Sequence, residues 1–250
     1  PFDQKKLFIL AKINAASDAF LDASPKGTID ALCRPLIDTI NAHPHMVTTS
    51  LCLGRVSVFL EGVKQKAQIG AKGNDGRWLF VTHDPADLPH WPRKVDFVFE
   101  SVPALDDHMR MILYKFEPLI LHVQCRDVSA ASRLYAVAMG CGFRESGIGS
   151  NNLVAIRILI RLDVPIGYLR GDTLVVMVRY DYLHALTKLS EDRFAENFRK
   201  MDALRSAIAE LGETAEETAR AETKEERRKR KTHEGLERRA AILEEKARKK

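Results

Sequence analysis

Apolar residues recur at a helical period near both ends of this chain's apolar-rich part and alternate in strand fashion between them. Residues 3–21 place Leu10, Ile13, Phe20 and Leu21 close to one stripe and predict an amphipathic helix. A shorter helix runs through Leu36, Ile37 and Ile40 to about Asn41, with Asp30 able to cap it. Pro35 is tolerated only in a first turn, so this helix starts a few residues late. The longest periodic run, 179–211, sets Leu183, Leu186, Leu189, Phe194, Phe198, Met201, Leu204, Ile208 and Leu211 at spacings of three, four and one five. Ser129–Met139 reads as a small-residue helix closed by Gly140-Cys141-Gly142.

Strands fill the interval. The stretch Thr48–Gly62 opens with three hydroxyl residues, turns at Gly54-Arg55 and leaves as a strand alternating Val56, Val58 and Leu60. Residues 63–76 form an irregular loop with three glycines, and Arg77–His83 is a strand ending at Asp84-Pro85. Pro85, Pro89, Pro92 and Pro103 mark turns, and 93–101 fits strand or helix equally. Met111–Arg126 is interrupted at Glu117-Pro118, which predicts two strands or one with a bulge, and places His122 and Gln124 on one face. Leu153–Leu162 is nearly all apolar, predicts a central strand covered on both faces, and ends at Asp163-Val164-Pro165. Thr173–Val178 is the last strand. No glycine-rich strand-loop-helix entry occurs, which gives a Rossmann phosphate loop little weight.

Composition narrows the classes. Forty-five per cent of the 250 residues are hydrophobic, enough for one large domain or two small ones. The formal charge of +5 permits a nucleic-acid partner without demanding one. From Glu213 apolar residues nearly vanish: 13 Lys/Arg stand against 10 Asp/Glu there, and 26 against 24 in residues 1–212. The division expected is therefore a 1–212 domain and a 213–250 charged tail, helical or disordered, whose Arg227–Lys231 cluster either holds phosphates or is simply solvated. Cys33, Cys52, Cys125 and Cys141 are scattered without CxxC pairing, so neither a zinc site nor a disulfide framework is expected. No apolar run approaches the ~20 residues of a membrane span. A cytoplasmic protein is expected.

Candidate chemistry sits in the polar turns. Lys26 beside Gly27 is a solvated turn residue or an anion hook. His83 at a strand end is a catalytic group, a ligand or a turn residue. Trp78 is a stacking surface or core, and Cys52 is better read as packing than as a nucleophile. Taken together the turns form a series: SPKGTID at 24–30, TTSLCLGRVSVFLEG at 48–62, GRWLFVTHD at 76–84, KFEPLILHVQCRD at 115–127, GFRESGI at 142–148 and RLDVPIG at 161–167. Their order and spacing over about residues 5–205 resemble the tRNA wybutosine-synthesizing protein 3 family.

That resemblance implies an α+β fold, a mixed β-sheet with flanking helices and not a Rossmann-type one, and an S-adenosyl-L-methionine-dependent methyltransferase. Its substrate would be N4 of the 7-aminocarboxypropyl-demethylwyosine intermediate at guanosine 37 of phenylalanine tRNA, beside the anticodon. Cys52, Gly54 and Arg55 match a family pattern in which small polar residues flank the cysteine; here the neighbours are Leu51 and Leu53. Methyl transfer from a sulfonium is an in-line displacement that needs alignment and, on this nitrogen, a proton acceptor. Asp30, His83, Glu117 and His122 are the candidates for that acceptor. Ser50, Cys52, Gly54 and Trp78 are candidates for the cofactor, and Ser24, Lys26, Arg55 and Arg144 for the tRNA. The other reading is a non-catalytic tRNA-binding scaffold of the same fold, motivated by Leu51 and Leu53.

Overall fold

The computed structural model describes residues 2–15, 31–63, 75–100 and 109–211. Expectations for 16–30, 64–74, 101–108 and 212–250 fall outside them, including Ser24, Lys26, Asp30 and the charged tail. In chain order the elements are α1 (Phe2–Ala15), a 3-10 turn (Ala31–Cys33) leading into α2 (Arg34–Ala42), β1 (Met46–Cys52), β2 (Arg55–Leu60) and β3 (Arg77–Thr82). A 3-10 segment (Pro85–Lys94) precedes β4 (Phe97–Phe99), β5 (Arg110–Glu117), β6 (Ile120–Cys125) and α3 (Val128–Gly140). Then follow β7 (Gly147–Ile148), a 3-10 turn (Ser150–Asn152), β8 (Leu153–Arg157), β9 (Leu162–Arg170), β10 (Thr173–Val176) and α4 (Tyr180–Ala209).

The strands form two sheets. One has four strands in the order β1-β6-β8-β7, the other six in the order β3-β2-β5-β9-β10-β4. Every pairing is antiparallel except β10 with β4. The α+β, non-Rossmann expectation holds, with two sheets where one was expected. The turn at Gly54-Arg55 is accordingly not a hairpin: it carries the chain from β1 in the small sheet to β2 in the large one. Glu117-Pro118 does the same from β5 to β6, and 158–161 returns the chain from β8 to β9.

Two strand boundaries differ from the pattern. The run 153–162 stops pairing at Arg157, and its burial alternates, with Val154 and Ile156 inside and Arg157 exposed. It is an inner strand covered on one face, because the small sheet carries helices on one side only of β8. Asp163-Val164-Pro165 does not end a strand but lies in β9. Pro165 sits opposite Leu113 beside a register shift, the kind of irregularity that accommodates a residue with no N–H to donate. Nearby Gly167 is required by close approach: a Cβ there would stand 2.1 Å from the Val175 carbonyl.

The two sheets share α4. Leu121, Val123, Val154 and Ile156 of the small sheet are fully buried, as are Leu36 and Ile40 of α2 and Ala131 and Leu134 of α3. On the large sheet, Val56, Val58, Ile112, Tyr114, Phe116 and Ile166 pack with Trp91 and with Leu183, Leu186 and Phe194 of α4. The buried line of α4 runs through Leu183, Thr187, Ser190, Phe194, Asn197, Met201, Leu204 and Ile208, a heptad-like three-four spacing. The apolar stripe expected from the sequence is mostly inside, but Leu189 is exposed. Its place on the line is taken by polar residues with specific partners. Trp91 Nε1 donates to Thr187 Oγ1 at 2.9 Å, and Tyr114 Oη and Ser190 Oγ share a proton at 2.8 Å.

Burial pushes the Tyr114 phenol up to about 12, against the smaller opposite pull of Ser190. Between pH ~10 and that value the unfolded chain loses a proton that the native state keeps, so native stability falls as pH rises. Tyr114→Phe should remove this part of the alkaline loss, of the order of 2 kcal/mol. Urea denaturation of both proteins across that window measures it; Cys125, also pushed up to about 12, acts equally in both.

Candidate active site

All three passages between the sheets lie side by side, since Cys52 pairs with Ile120, Ile120 with Arg157, Arg55 with Glu117 and Phe116 with Leu162. A strand leaving its sheet abandons ladder hydrogen bonds, and buried backbone groups must find other partners. Asn197, fully buried on α4, supplies two: its Nδ2 donates to the Leu53 carbonyl at 2.8 Å, and its Oδ1 accepts from the Leu119 N–H at 2.9 Å. One turn earlier, Arg193 Nε donates to the Ile160 carbonyl at 2.8 Å. Gly54 lies against the second passage, with φ of 106° and a position where a Cβ would stand 3.0 Å from the Glu117 carbonyl.

Around this clamp the structure gathers five of the sequence-predicted residues. The Gly54 carbonyl lies 2.9 Å from His83 Nδ1. A carbonyl only accepts, so the neutral ring carries its proton on Nδ1 and presents the lone pair of Nε2. The position of His83 is fixed by its neighbours: the Asp84 N–H donates to Thr82 Oγ1 at 3.0 Å, and the Asp84 carboxylate accepts from the Ala86 N–H at 2.8 Å. Arg55 Nε donates to Glu117 Oε2 at 2.6 Å, and its guanidinium stands 4.9 Å from the Trp78 ring centre. Trp78 is 39% exposed and packs against Phe59 at 4.7 Å, so it is a partly open ring face, not core.

Ser50, Cys52 and His122 belong to the small sheet. Register puts Ser50, His122, Ala155 and Gly147 in one row across four strands, with Cys52, Ile120 and Arg157 in the next row on the same face. Ser50 Oγ and His122 Nδ1 are 3.0 Å apart. Burial, then the charge of Arg157, hold the His122 imidazole below its ordinary range, which favours a neutral ring. Arg144 is exposed in the turn after α3, where the Glu145 N–H reaches the Arg157 carbonyl at 3.3 Å. It therefore stands about three strand spacings, roughly 14 Å, from Cys52, and is an outer residue of the site rather than a partner of Arg55.

Leu51 and Leu53, the departures from the small-polar pattern, turn away from this face. Leu51 shares its row with the buried Leu121 and Ile156, and Leu53 is 2% exposed. Leu53 is core and Leu51, half-buried, lies on the side of Leu121 and Ile156, so hydroxyls at these positions would not reach the face that carries Ser50 and Cys52.

Asn197 was not among the residues expected from sequence. Its signal is a polar residue three positions after Phe194 and four before Met201, on the apolar line of a long helix. Ser57 was missed as well. It shares with Arg55 the face of β2 opposite Val56 and Val58, is fully buried, and its Oγ has no partner among the described residues. The donor set suits an amino-acid-bearing sulfonium nucleoside: Arg55 for a carboxylate, Trp78 for an aromatic base, Glu117 for a cation, and the Ser57 hydroxyl unmatched beside them. No group of His, Cys, Asp and Glu able to hold a metal occurs among the described residues.

Comparison with known proteins identifies the family. The family model described as Methyltransferase TYW3 matches residues 4–210. The chain is 52% identical over 259 aligned positions to tRNA wybutosine-synthesizing protein 3 of Saccharomyces cerevisiae, covering 95% of this chain and 94% of that one. It is 40% identical to the protein of that name from Schizosaccharomyces pombe, covering 83% and 86%. Among solved structures, the PH1069 protein from Pyrococcus horikoshii OT3 superposes with a TM-score of 0.65 at 25% identity, covering 84% of this chain and 95% of that one.

Replacing Asn197 by Ala should leave the Leu53 carbonyl and the Leu119 N–H buried and unpaired, at about 1–3 kcal/mol each. A loss of roughly 2–6 kcal/mol in urea denaturation is expected by that sum. Arg193→Ala, which frees one partly buried carbonyl, should cost less than half as much.

Proposed function

The chain belongs to the methyltransferase TYW3 family, and from that premise we propose that it methylates N4 of 7-aminocarboxypropyl-demethylwyosine at guanosine 37 of phenylalanine tRNA, in the cytoplasm. The observation that carries the reading is the convergence of Gly54, Arg55, Trp78, His83 and Glu117 at the first two sheet passages. The names of the relatives, which place them in wybutosine synthesis, support the choice of substrate. S-adenosyl-L-methionine, when bound, supplies an electrophilic sulfonium methyl and leaves as a neutral thioether.

The chain's own residues have three tasks. The first is to accept a proton from the ring nitrogen. Of the four candidates, Asp30 lies outside the described residues, Glu117 is engaged by Arg55, and His122 meets Ser50 through Nδ1 in a contact that fits either tautomer. His83 has the tautomer that leaves Nε2 free to accept, and it is assigned as the acceptor. The second task is to hold anionic groups of cofactor or substrate, which suits Arg55: its Nη nitrogens remain for a second carboxylate while Nε keeps Glu117. The third is stacking, for which Trp78 offers its ring. None of these requires a proton donor to the leaving group. A scaffold without catalysis finds no support in Leu51 and Leu53, since both lie on the face of β1 and its turn away from Ser50 and Cys52.

The test is Arg55→Ala. The Arg55–Glu117 pair is 28% and 39% exposed on its two sides, so its contribution to stability is at most about 1 kcal/mol. Losing a charge-assisted bond to substrate or cofactor is worth about 1.5–3 kcal/mol, or roughly 10–100-fold in kcat/KM. The expected result is a folded protein with that loss of methylation, read by mass spectrometry of phenylalanine tRNA, and with weaker S-adenosyl-L-methionine binding or a raised KM for tRNA. Full activity in the variant removes Arg55 from the site. A wild-type chain that neither binds the cofactor in calorimetry nor adds a methyl group overturns the enzymatic reading.

A further inference from the structure

The opposite end of the small sheet, where β1 begins and β6 ends, collects cations. Lys6 of α1, His43 and His45 of the turn before β1, Arg126 after β6 and Arg133 of α3 meet there. Lys6 Nζ donates to the His43 carbonyl at 2.6 Å, the Arg126 N–H donates to the His45 carbonyl at 2.9 Å, and the two imidazole centres are 5.8 Å apart. Burial first, and then His45, Arg133 and Lys6, hold the His43 imidazole below its usual range. Two carboxylates at this end are already engaged: Asp3 takes the Arg126 Nη atoms, and Asp127 caps α3 through the Ala130 N–H at 2.8 Å.

What this cluster lacks is acceptors. The His45 N–H donates to His43 Nδ1 at 3.2 Å, so the neutral His43 ring carries its proton on Nε2. That Nε2–H and the Nε–H groups of Arg126 and Arg133 are buried without an acceptor among the described residues, and His45 Nδ1 is unmatched too. Native structures leave few such groups, so four nitrogens in one cluster call for an explanation. Beside them opens a cleft of about 330 Å³ lined by Asp3, Lys6, Leu7, Leu10, Pro44 and Arg126. Lys6 and Arg126 bring positive charge to the wall of that cleft, with the unmatched nitrogens of His43, His45 and Arg133 buried behind them, a setting that favours an oxygen-rich anion.

We infer that this cluster is a second RNA contact, a seat for backbone phosphates of the same tRNA whose modified nucleoside is placed at the sheet passages. The inference rests on the substrate reading given above. Strand β1 is the ruler: His45 to Cys52 is seven residues, roughly 23 Å of extended chain, short enough for one RNA hairpin to reach both ends. Contacts of this kind position a nucleic acid without reading its sequence.

The test is the salt dependence of phenylalanine tRNA transcript binding by the full chain. Three variants are compared with wild type: Lys6→Gln/Arg133→Gln, the charge-keeping Lys6→Arg/Arg133→Lys, and a control on the exposed face of α4, Lys188→Gln/Arg199→Gln. Each phosphate contact contributes about 0.7–0.9 to the slope of log K against log salt. The first variant should lose about 1–2 from that slope and bind tRNA roughly tenfold or more weakly at 0.1 M salt, with S-adenosyl-L-methionine affinity and unfolding midpoint unchanged. The charge-keeping variant and the control should hold the wild-type slope. An unchanged slope in the first variant, an equal loss in the control, or a loss seen only with anionic vesicles and not with tRNA overturns the inference while leaving the enzyme reading intact. A wild-type chain that does not bind tRNA overturns both.

Discussion

The constraint on which this structure depends is the supply of hydrogen bonds where the chain changes sheets. It does so three times in adjacent places, and each passage strips backbone groups of ladder partners in a region excluded from water. α4 answers with side chains one turn apart, Asn197 for the first two passages and Arg193 for the third. A leucine at 197 would suit the apolar line of the helix but could not serve either backbone group. The helix therefore fixes the relative position of the two sheets by polar specificity, while its apolar neighbours supply the burial.

That arrangement decides where chemistry is possible. Because Gly54 lies tight against the Glu117 carbonyl, its own carbonyl is held where His83 can donate to it, and the tautomer of the imidazole follows from this one acceptor. Arg55 follows directly in sequence and is held against Glu117 by strand register, since the two are paired residues of β2 and β5. The site is thus built on strand ends supported by a helix and not on a long loop, which favours fixed geometry over adaptability.

Much of this was legible in the sequence. Most strand ends, the interruption at Glu117-Pro118, the cap of α3 and the extent of α4 follow from local rules: proline chemistry, glycine stops and periodicity. What local rules do not reach is which strand joins which sheet. Gly54-Arg55 looks like a turn from its composition, and it is one, but its flanking strands part company because β1 pairs with β6 and β2 with β5, both distant in sequence. Pro165 misled for a related reason: a proline ends a strand unless a register shift across the sheet makes room for it. Asn197 shows the same limit from the other side. Its position on an apolar line marked it as unusual, yet only the distant Leu53 and Leu119 explain it.

The residues assigned to chemistry differ from those assigned to structure in how much the fold relies on them. Asn197 is wholly buried, and its loss strands two backbone groups; Arg55 and Glu117 are partly exposed, and their pairing adds little to stability in water. The same contrast holds at the far end of the small sheet, where donors have no acceptor among the described residues. A fold that depended on these charges would have closed them in complete networks, as it did for the Trp91–Thr187 and Tyr114–Ser190 pairs. Polar groups that are partly open, or without an acceptor among the described residues, are the ones a bound ligand can still satisfy. For a tRNA-modifying methyltransferase, a nucleotide and its flanking phosphates provide such partners.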